Sequence, residues 1–434
     1  MTVFGMPGMA GKVGTDLTPE IALSIGRALG MRYRSAVVSR DARHSGVMIS
    51  NALASGLCSV GCSVTDIGIC PLPVSVKTIK DGGCGVMVTA PDSPPEYNGI
   101  RFGNSDGSAF TDVQTEEIRN AAECDGMITY AKHDAVGRIS EDGIPAAAYM
   151  KVITDAVGTI DCPVIVDCAS DSAALVTPAL LAGMGADVTT ANSNIGMNFF
   201  GRHPEPSETN LRDLMKHVRS EPGSIGIAHD GSGSRVAVID ESGRYLSGNT
   251  LIMLLASYIK ADSAVVPVNA TMAVEEIVRG KVIRTNVGDR YISDAMKKNG
   301  IQFGGEPSGS FVFGNVSMCP DGIHAAALIA GIASEGSLRQ TVDELPRYPT
   351  GSGEVRFSCD REDIVKRIDE KLSSAEYGSL IRTDGWRVEM DNGWYFVRLS
   401  DTGNRVMITA EARDRAYMSC LLEMAQDAVA SCIR

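Results

Sequence analysis

The chain has 434 residues, which is more than one hydrophobic core usually supports, so we expect it to fold into two to four domains. Hydrophobic residues make up 44% and charged residues 21% of the chain, and 46 residues are glycine, as is typical of a globular α/β protein. The formal net charge of −13 argues against nucleic acid and acidic membranes as partners. The sequence contains no recognisable signal peptide and no apolar run long enough to cross a bilayer, so we expect no membrane partner.

The eleven cysteines are scattered, without a C-x-x-C pair and without histidines at the spacing of a zinc site. Most of them lie inside apolar runs such as GLCSVGCSV, residues 56–64. We therefore expect buried thiols in the reduced state, which favours a cytoplasmic protein.

The first elements along the chain are predicted to be a helix and a strand. The stretch TPEIALSIGRALG, residues 18–30, has apolar residues at helical spacing, and Thr18 is suited to the N-cap. Gly30 is typical of a helix end. The β-branched run SAVVS, residues 35–39, then predicts a strand that leads into a polar loop.

Helices and short strands alternate after this loop, which predicts a mainly parallel or mixed sheet between layers of helices. The same plan restarts at CPVIVDCAS, residues 162–170, and at SAVVPVNAT, residues 263–271. The stretch ELPRYPTGSG, residues 344–353, is interpreted as a linker, and the short strands and helices beyond it predict a smaller α+β domain. The predicted domains cover residues 1–150, 151–248, 249–346 and 353–434.

Several loops between these elements carry recognisable motifs. They read GMPGMAG at 5–11, TAPDSPPEYNG at 89–99, HDGSGSR at 229–235, RTNVGDR at 284–290, GGEPSGS at 304–310 and RLSDTGNR at 398–405. In this order they resemble the α-D-phosphohexomutase family, which includes phosphoglucomutase, phosphomannomutase and phosphoglucosamine mutase. The resemblance implies four domains around a central cleft, three related α/β units and a smaller α+β unit at the C-terminus. It also implies phosphoryl transfer between two positions of a hexose by a phosphorylated serine and one magnesium ion.

The loop at residues 89–99 lacks the hydroxyl group that the family uses as its nucleophile. Where the family reads T-A-S-H-N-P, this chain has Pro91 at the serine position and Asp92 at the histidine position. The resemblance therefore assigns no catalytic residue, and Ser93 and Asp92 are the remaining candidates. A hydroxyl two residues away is displaced by roughly 6–7 Å along an extended chain, whereas the placement of a nucleophile matters at about 1 Å.

The loop at residues 229–235 resembles the family's magnesium loop, D-G-D-x-D-R. Asp230 and Arg235 match this pattern. The second and third carboxylate positions are Ser232 and Ser234. Because magnesium prefers several negatively charged oxygen ligands in an octahedral set, we expect no bound cofactor. Mg²⁺ at the remnant position, Asp230, is expected only if the family activity survives.

Other loops keep residues through which the family binds its substrate. The resemblance implies substrate contacts by Glu306, Ser308, Thr285, Gly288, Asp289, Arg290 and Arg235, and phosphate contacts by Arg398, Ser400, Thr402 and Arg405. The alternative is a structural role, in which the glycines of residues 304–310 serve a backbone turn that Glu306 braces. In the same alternative, Arg40 and Asp41 form an internal ion pair that holds the loops together.

Three functional hypotheses follow. The first is a phosphohexomutase-fold protein that has lost phosphoryl transfer and acts as a sugar-phosphate-binding or partner-regulating pseudo-mutase, since the altered positions are the reacting ones. The second is an active phosphoglucomutase, phosphomannomutase or phosphoglucosamine mutase with a non-standard phosphate carrier. The third is a different reaction that uses Asp92 or Glu96 as acid or base. The expected partners are a hexose phosphate and either a second copy of the chain or an active relative.

Overall fold

A computed structural model of the protein describes residues 8–124, 128–196, 199, 201–373, 378–400 and 404–433. It contains four units in chain order, three with mixed sheets and one with an antiparallel sheet. The first three units have the predicted α/β plan and the fourth has the smaller α+β plan, so the predicted four-domain architecture is confirmed.

The first unit is an α/β layer structure with six strands. Its elements are β1 (Gly8–Lys12), α1 (Pro19–Arg32), β2 (Ser35–Arg40), α2 (Gly46–Ser59), β3 (Ser63–Ile69), α3 (Leu72–Ser75), β4 (Cys84–Val88), β5 (Tyr97–Gly103), α4 (Asp112–Glu123) and β6 (Ile139–Glu141). The sheet order is β1-β5-β4-β2-β3-β6. Because β2 and β4 are parallel neighbours, the loops that follow their carboxyl ends lie side by side.

The second unit repeats this plan with five strands. Its elements are α5 (Ala146–Val157), β7 (Pro163–Asp167), α6 (Thr177–Gly183), β8 (Asp187–Ala191), α7 (Arg212–Ser220), β9 (Ile225–His229), β10 (Val236–Ile239) and β11 (Tyr245–Leu246). The sheet order is β11-β10-β9-β7-β8, with β7 parallel to β8 and β9. The loop after β9 is the predicted metal loop, and β10 returns antiparallel from it.

The third unit has four strands. Its elements are α8 (Gly248–Tyr258), β12 (Ala264–Pro267), α9 (Val274–Ile277), β13 (Val282–Thr285), α10 (Asp289–Asn299), β14 (Phe303–Gly305), β15 (Phe311–Phe313), α11 (Gly322–Glu335) and α12 (Leu338–Asp343). The sheet order is β13-β12-β14-β15, with β12 parallel to both of its neighbours. The loops after β12, β13 and β14 therefore leave from the same edge of the sheet.

The fourth unit is an antiparallel sheet covered by helices. Its elements are β16 (Thr350–Arg356), α13 (Arg361–Ser373), β17 (Ser379–Ile381), β18 (Trp386–Met390), β19 (Gly393–Leu399), β20 (Arg405–Ala412) and α14 (Arg415–Ile433). The sheet order is β16-β20-β19-β18-β17, and every neighbouring pair is antiparallel.

One continuous hydrophobic core joins the first three units, with members such as Val37, Val164 and Ile252. The fourth unit has its own core. Its contact with the third unit includes a small apolar cluster in which Val268 packs near Trp394. The first three units therefore form one packed body, and the fourth is attached through a smaller apolar contact.

Two features of the first helix test the sequence prediction. Thr18 caps α1 as predicted, since its side chain accepts the backbone N–H of Ile21 at 3.5 Å. The predicted helix end at Gly30 is wrong, because α1 continues to Arg32. A Cβ atom at Gly30 would lie 2.4 Å from Cγ2 of Val60, so this glycine permits close packing against α2 instead of ending the helix.

The predicted linker at residues 344–353 is shorter than expected, because β16 begins at Thr350. A Cβ atom at Gly351 would lie 2.5 Å from Sδ of Met418 in α14. The glycine-rich sequence at this point therefore reflects a strand that packs closely under a helix, and not a flexible connection.

All eleven cysteines are described, and all are free thiols, most of them buried as predicted. Burial raises the pKa of the Cys70 thiol to about 12, so this group stays protonated near neutral pH. Within the described ranges, none of the helices is both long enough and apolar enough to traverse a bilayer.

Helices α1 and α2 approach closely through three glycines, Gly26, Gly30 and Gly56, and this contact yields a first prediction. A Cβ atom at Gly56 would lie 2.2 Å from the backbone oxygen of Leu23. We expect Gly56→Ala to lower the free energy of unfolding by about 1–3 kcal/mol, because the helix backbones must move apart. Urea denaturation followed by circular dichroism measures this change.

The matched control is Gly183→Ala at the end of α6, where an added Cβ atom meets no heavy atom within 4 Å among the described residues. Since alanine favours a helix over glycine, the control should be neutral or stabilising by up to about 1 kcal/mol. Equal effects of the two substitutions would contradict a packing role for Gly56.

Candidate active site

The loops of the first three units meet at a cavity of about 420 Å³. Its lining includes Asp92 and Ser93 from the first unit, Ser232, Ser234 and Arg235 from the second, and Gly288, Asp289, Glu306 and Ser308 from the third. The structure thus brings together loops that the sequence predicted separately. They are the nucleophile loop at residues 89–99, the metal loop at residues 229–235, and the two sugar loops at residues 284–290 and 304–310. Most of these loops follow the carboxyl ends of parallel strands, which is where α/β proteins bind their ligands.

The buried side chain of Arg43 organises the loop between β4 and β5. Its guanidinium donates hydrogen bonds to the backbone oxygens of Pro94 at 2.7 Å, Tyr97 at 3.0 Å, Ser93 at 2.7 Å and, at a shorter distance, Ala90. One side chain therefore binds four backbone carbonyls of the same loop. We call this set of contacts, together with the Asp41 carboxylate described next, the Arg43 clamp.

Asp41 balances the charge of Arg43. Its Oδ2 atom lies 3.2 Å from Nε of Arg43 and accepts the hydroxyl of Thr89 at 2.7 Å. Both side chains of this ion pair have 0% exposed surface. The ion pair of Asp41 is made with Arg43 and not, as predicted, with Arg40, because neighbouring side chains leave an extended strand end in opposite directions.

The reacting positions of the nucleophile loop face the metal loop. The backbone oxygen of Pro91 accepts the N–H of Gly231 at 3.3 Å. Oδ2 of Asp92 lies 2.6 Å from Nη1 of Arg235, and no partner for Oδ1 of Asp92 exists among the described residues. Burial raises the pKa of the Asp92 carboxyl to about 6, although the charge of Arg235 acts in the opposite direction.

Ser93 lines the cavity, but its backbone is used by the loop. Its N–H donates to Ala90 at 3.0 Å, and its carbonyl accepts from Arg43 at 2.7 Å. Among the described residues, no base is hydrogen-bonded to the Ser93 hydroxyl, so nothing in this arrangement activates that oxygen as a nucleophile.

The metal loop is closed by hydrogen bonds within itself. Oδ2 of Asp230 accepts from the hydroxyls of Ser232 at 3.0 Å and Ser234 at 2.9 Å. Oδ1 accepts the backbone N–H of Arg235 at 3.2 Å. In the part of the chain that the structure describes, no three His, Cys, Asp or Glu side chains converge as a metal site. One carboxylate that already receives three hydrogen bonds does not fit the ligand set that Mg²⁺ requires.

Glu306 joins the two loops of the third unit that line the cavity. Its Oε1 atom accepts the backbone N–H of Gly288 at 2.6 Å, and Oε2 lies 3.4 Å from the hydroxyl of Ser308. Burial, together with the nearby carboxylate of Asp289, raises the pKa of Glu306 to about 7. Asp289 itself pairs with Arg101, which also lines the cavity.

Two predicted substrate contacts do not line this cavity. Arg290 pairs with Asp112 of the first unit, and its guanidinium lies over the ring of Tyr291 at 4.2 Å. The hydroxyl of Thr285 donates to the backbone of Asn286 at 2.9 Å. The side chain of Arg290 thus joins the third unit to the first, although its sequence neighbour Asp289 reaches the cavity.

A second cavity of about 410 Å³ lies at the fourth unit. Its lining includes Arg398, Ser400 and Arg405, the predicted phosphate contacts, whereas Thr402 lies outside the described residues. Nε of Arg398 lies 3.1 Å from the carboxylate of Asp384. A phosphate group bound here would therefore compete with the carboxylate of Asp384 for the guanidinium of Arg398.

The linings of the two cavities also contain residues that the sequence prediction missed, Arg101 in the first cavity and Asn269 in the second. Arg101 lies in β5 between Ile100 and Phe102, and this alternation could have indicated an arginine on the opposite face of the sheet from those two buried side chains. Asn269 follows the carboxyl end of β12, and this position in a parallel sheet was the available signal. Oδ1 of Asn269 is buried and has no hydrogen-bond partner among the described residues.

Comparisons with known proteins support this architecture. Profiles described as phosphoglucomutase/phosphomannomutase α/β/α domains I, II and III match residues 1–126, 146–243 and 247–348. A probable phosphoglucosamine mutase of Methanosarcina barkeri is 40% identical over 95% of this chain and 96% of its own length. A phosphoglucosamine mutase of Methanococcus maripaludis is 34% identical over 98% of this chain and 97% of its own.

Among solved structures, a phosphoglucomutase/phosphomannomutase family protein of Burkholderia thailandensis has a TM-score of 0.89 and 25% sequence identity, and the match covers 99% of this chain and 97% of that one. A phosphomannomutase-like structure from Thermus thermophilus, at 22% identity and a TM-score of 0.80, shares the fold. The four-unit arrangement is therefore common to these proteins and to this chain.

The Arg43 clamp yields a second prediction. Arg43→Met should lower the free energy of unfolding by about 3–5 kcal/mol, because Asp41 would remain buried without its partner. Urea denaturation measures this loss. The control is Arg119→Met, which removes an exposed ion pair with Glu116 and should cost at most about 1 kcal/mol. A loss at Arg43 no larger than that of the control would contradict the clamp.

The pKa of Glu306 yields a third prediction. Because its folded pKa of about 7 lies above the ordinary value of 4.5, the folded state binds the proton more tightly, and this stabilisation is complete below about pH 4.5. It is lost as the pH rises through 7. Glu306→Gln should remove a pH-dependent contribution on the order of 1–3 kcal/mol between pH 5 and 8, measured by urea denaturation. The exposed Glu96→Gln serves as control, and equal slopes for Glu306→Gln and the unaltered protein would refute the assignment.

Proposed function

This chain belongs to the α-D-phosphohexomutase family, and we propose that it binds a hexose monophosphate in the family cleft without carrying out the family's phosphoserine and magnesium chemistry. The observation that carries this proposal is the metal loop, where Ser232 and Ser234 donate to Asp230 instead of presenting carboxylates. One aspartate whose carboxylate already accepts three hydrogen bonds, together with two neutral hydroxyls, is a weak ligand set for a dication.

The nucleophile loop supports the same proposal. Pro91 stands at the position of the phosphate-carrying serine, and the Arg43 clamp binds the carbonyls on both sides of it. A loop bound at four carbonyls cannot swing the Ser93 hydroxyl into that position without breaking those bonds. Loss of a catalytic nucleophile lowers the rate by on the order of 10⁶-fold in enzymes where it has been measured.

Binding residues are retained beside these changes. Glu306 and Ser308 line the first cavity, and Arg398 and Arg405 line the second. Val287 contributes to both linings, so the two cavities adjoin. A hexose with one phosphate group fits this division, since its hydroxyls meet carboxylates, and its phosphate meets two arginines, for which it would compete with Asp384 and Glu354.

The second candidate function is active phosphoglucosamine mutase, and the names of the relatives that are 40% and 34% identical favour it over loss of activity. It requires a phosphate carrier other than Pro91. Within the loop at residues 89–99 the candidate is the Ser93 hydroxyl, since the hydroxyl of Thr89 donates to Asp41. The third hypothesis, acid or base chemistry, rests on Asp92, since Glu96 is exposed and lies outside the cavity lining. Association with a second copy or with an active relative stays a prediction.

The fourth prediction separates the two candidates. Purified protein with glucosamine 6-phosphate, glucose 1,6-bisphosphate and Mg²⁺ should show no conversion to the 1-phosphate by ³¹P NMR. Hexose monophosphates in the presence of EDTA should nevertheless raise the midpoint of thermal unfolding, because binding to the folded state stabilises it. The variant Pro91→Ser with Ser232→Asp and Ser234→Asp restores the family residues and tests whether these positions limit the rate.

Turnover by the unaltered protein, abolished by Ser93→Ala, would establish the second candidate instead. Absence of a thermal shift with every hexose phosphate would refute binding. Gain of activity in the triple variant, with none in the unaltered protein, would support the loss of chemistry directly.

A further inference from the structure

Both arginines of the second cavity are already paired with carboxylates. Nε of Arg398 lies 3.1 Å from Oδ2 of Asp384, and Nη1 of Arg405 lies 3.3 Å from Oε2 of Glu354. A phosphate group that binds in this cavity must therefore displace a carboxylate, or share an arginine with it at the cost of repulsion between like charges.

The two carboxylates differ in how firmly they are held. The side chains of Arg405 and Glu354 are 39% and 38% exposed, and an ion pair at that exposure is screened by water and contributes little. The side chain of Asp384 is only 21% exposed. Its Oδ2 atom also accepts a long hydrogen bond, 3.4 Å, from the backbone N–H of Val287 in the third unit. Asp384 is thus the stronger competitor for a bound anion.

The backbone fixes the position of Asp384. This residue lies in the turn between β17 and β18, with a φ of 55°. A Cβ atom at the next residue, Gly385, would lie 2.4 Å from the backbone oxygen of Val397 and 3.3 Å from Cα of Arg398. The glycine therefore allows the turn to lie directly against the end of β19, which brings the carboxylate to Arg398.

We propose that the carboxylate of Asp384 is a built-in competitor for the phosphate group of the ligand, which must displace it from Arg398. Oδ2 of Asp384 lies between a guanidinium N–H and a backbone N–H, and phosphate oxygens accept from the same two kinds of donor. Val287 and Arg398 both line the second cavity, so both donors belong to residues that a ligand meets there. This inference rests on the proposed function, since it presupposes that a hexose monophosphate binds in the cleft.

Other contacts hold the fourth unit in place when Asp384 is displaced. Oε2 of Glu411 accepts the backbone N–H of Met272 in the third unit at 2.7 Å and Nε1–H of Trp394 at 2.8 Å. Loss of the Asp384 contacts therefore lowers the affinity for the ligand without detaching the fourth unit from the third.

The fifth prediction is a gain of affinity in Asp384→Asn. Asparagine tolerates the positive φ and keeps an oxygen for the N–H of Val287, but it removes the negative charge beside Arg398. Isothermal titration calorimetry with glucose 6-phosphate, in EDTA at fixed ionic strength, should show binding that is tighter by about 10-fold than in the unaltered protein. Adding Arg398→Met to Asp384→Asn should remove this gain, because the released arginine is its source.

The matched control is Asp369→Asn, which removes the same charge from an ion pair with Arg382 in the fourth unit, outside both cavity linings. It should change the affinity by less than about 2-fold.

The outcomes separate the inference from the proposed function. Binding by the unaltered protein that Asp384→Asn leaves equal or weakens would overturn the inference and leave the proposed function standing. A gain that persists after Arg398→Met would also overturn it. Binding that is detected only with Asp384→Asn would support both. Absence of binding by both the unaltered protein and Asp384→Asn would refute the proposed function, and the inference with it.

Discussion

The cleft of this protein depends on a buried guanidinium in the loop between β2 and α2. Arg43 receives its counter-charge from Asp41 and donates to four backbone carbonyls of the loop after β4. Burial of such a charge is tolerated only when it is paired and its N–H groups are hydrogen-bonded, and both conditions are met here. Because the loop supplies the acceptors, its conformation is set by the same contacts that keep Arg43 stable.

The conformation of this loop also determines that the side chain of Asp92 lines the cavity. With its carbonyls turned towards Arg43, the loop directs Asp92 at Arg235 across the boundary between the first two units. On the other side of that boundary, the aspartate of the metal loop is satisfied by two serine hydroxyls and one backbone N–H. The charges of Asp92 and Arg235 thus offset one another across this boundary, while Asp230 is held by hydrogen bonds within its own loop.

Much of the fold could be predicted from the sequence, because its signals are local. The threonine that caps α1, the apolar runs that become β2 and β4, and the three repeats of helix and strand all depend on neighbouring residues. Gly30 was misjudged because its role depends on Val60, which directly follows α2, and the glycines after Thr350 were misjudged because α14 packs on them. In each case the deciding atom is distant in sequence.

The sequence by itself determined the family, the four-unit plan and the absence of a serine at residue 91 and of two carboxylates in the metal loop. These facts follow from residue identity at positions that the loop motifs define. Only the tertiary structure decided that Asp92 pairs with Arg235, that Arg290 leaves the cavity for Asp112 and that Asn269 enters the lining of the second cavity. Those outcomes depend on how the different units are placed relative to one another. The strength of an ion pair depends on the distance between the charges and on their burial, and neither quantity can be read from a linear sequence.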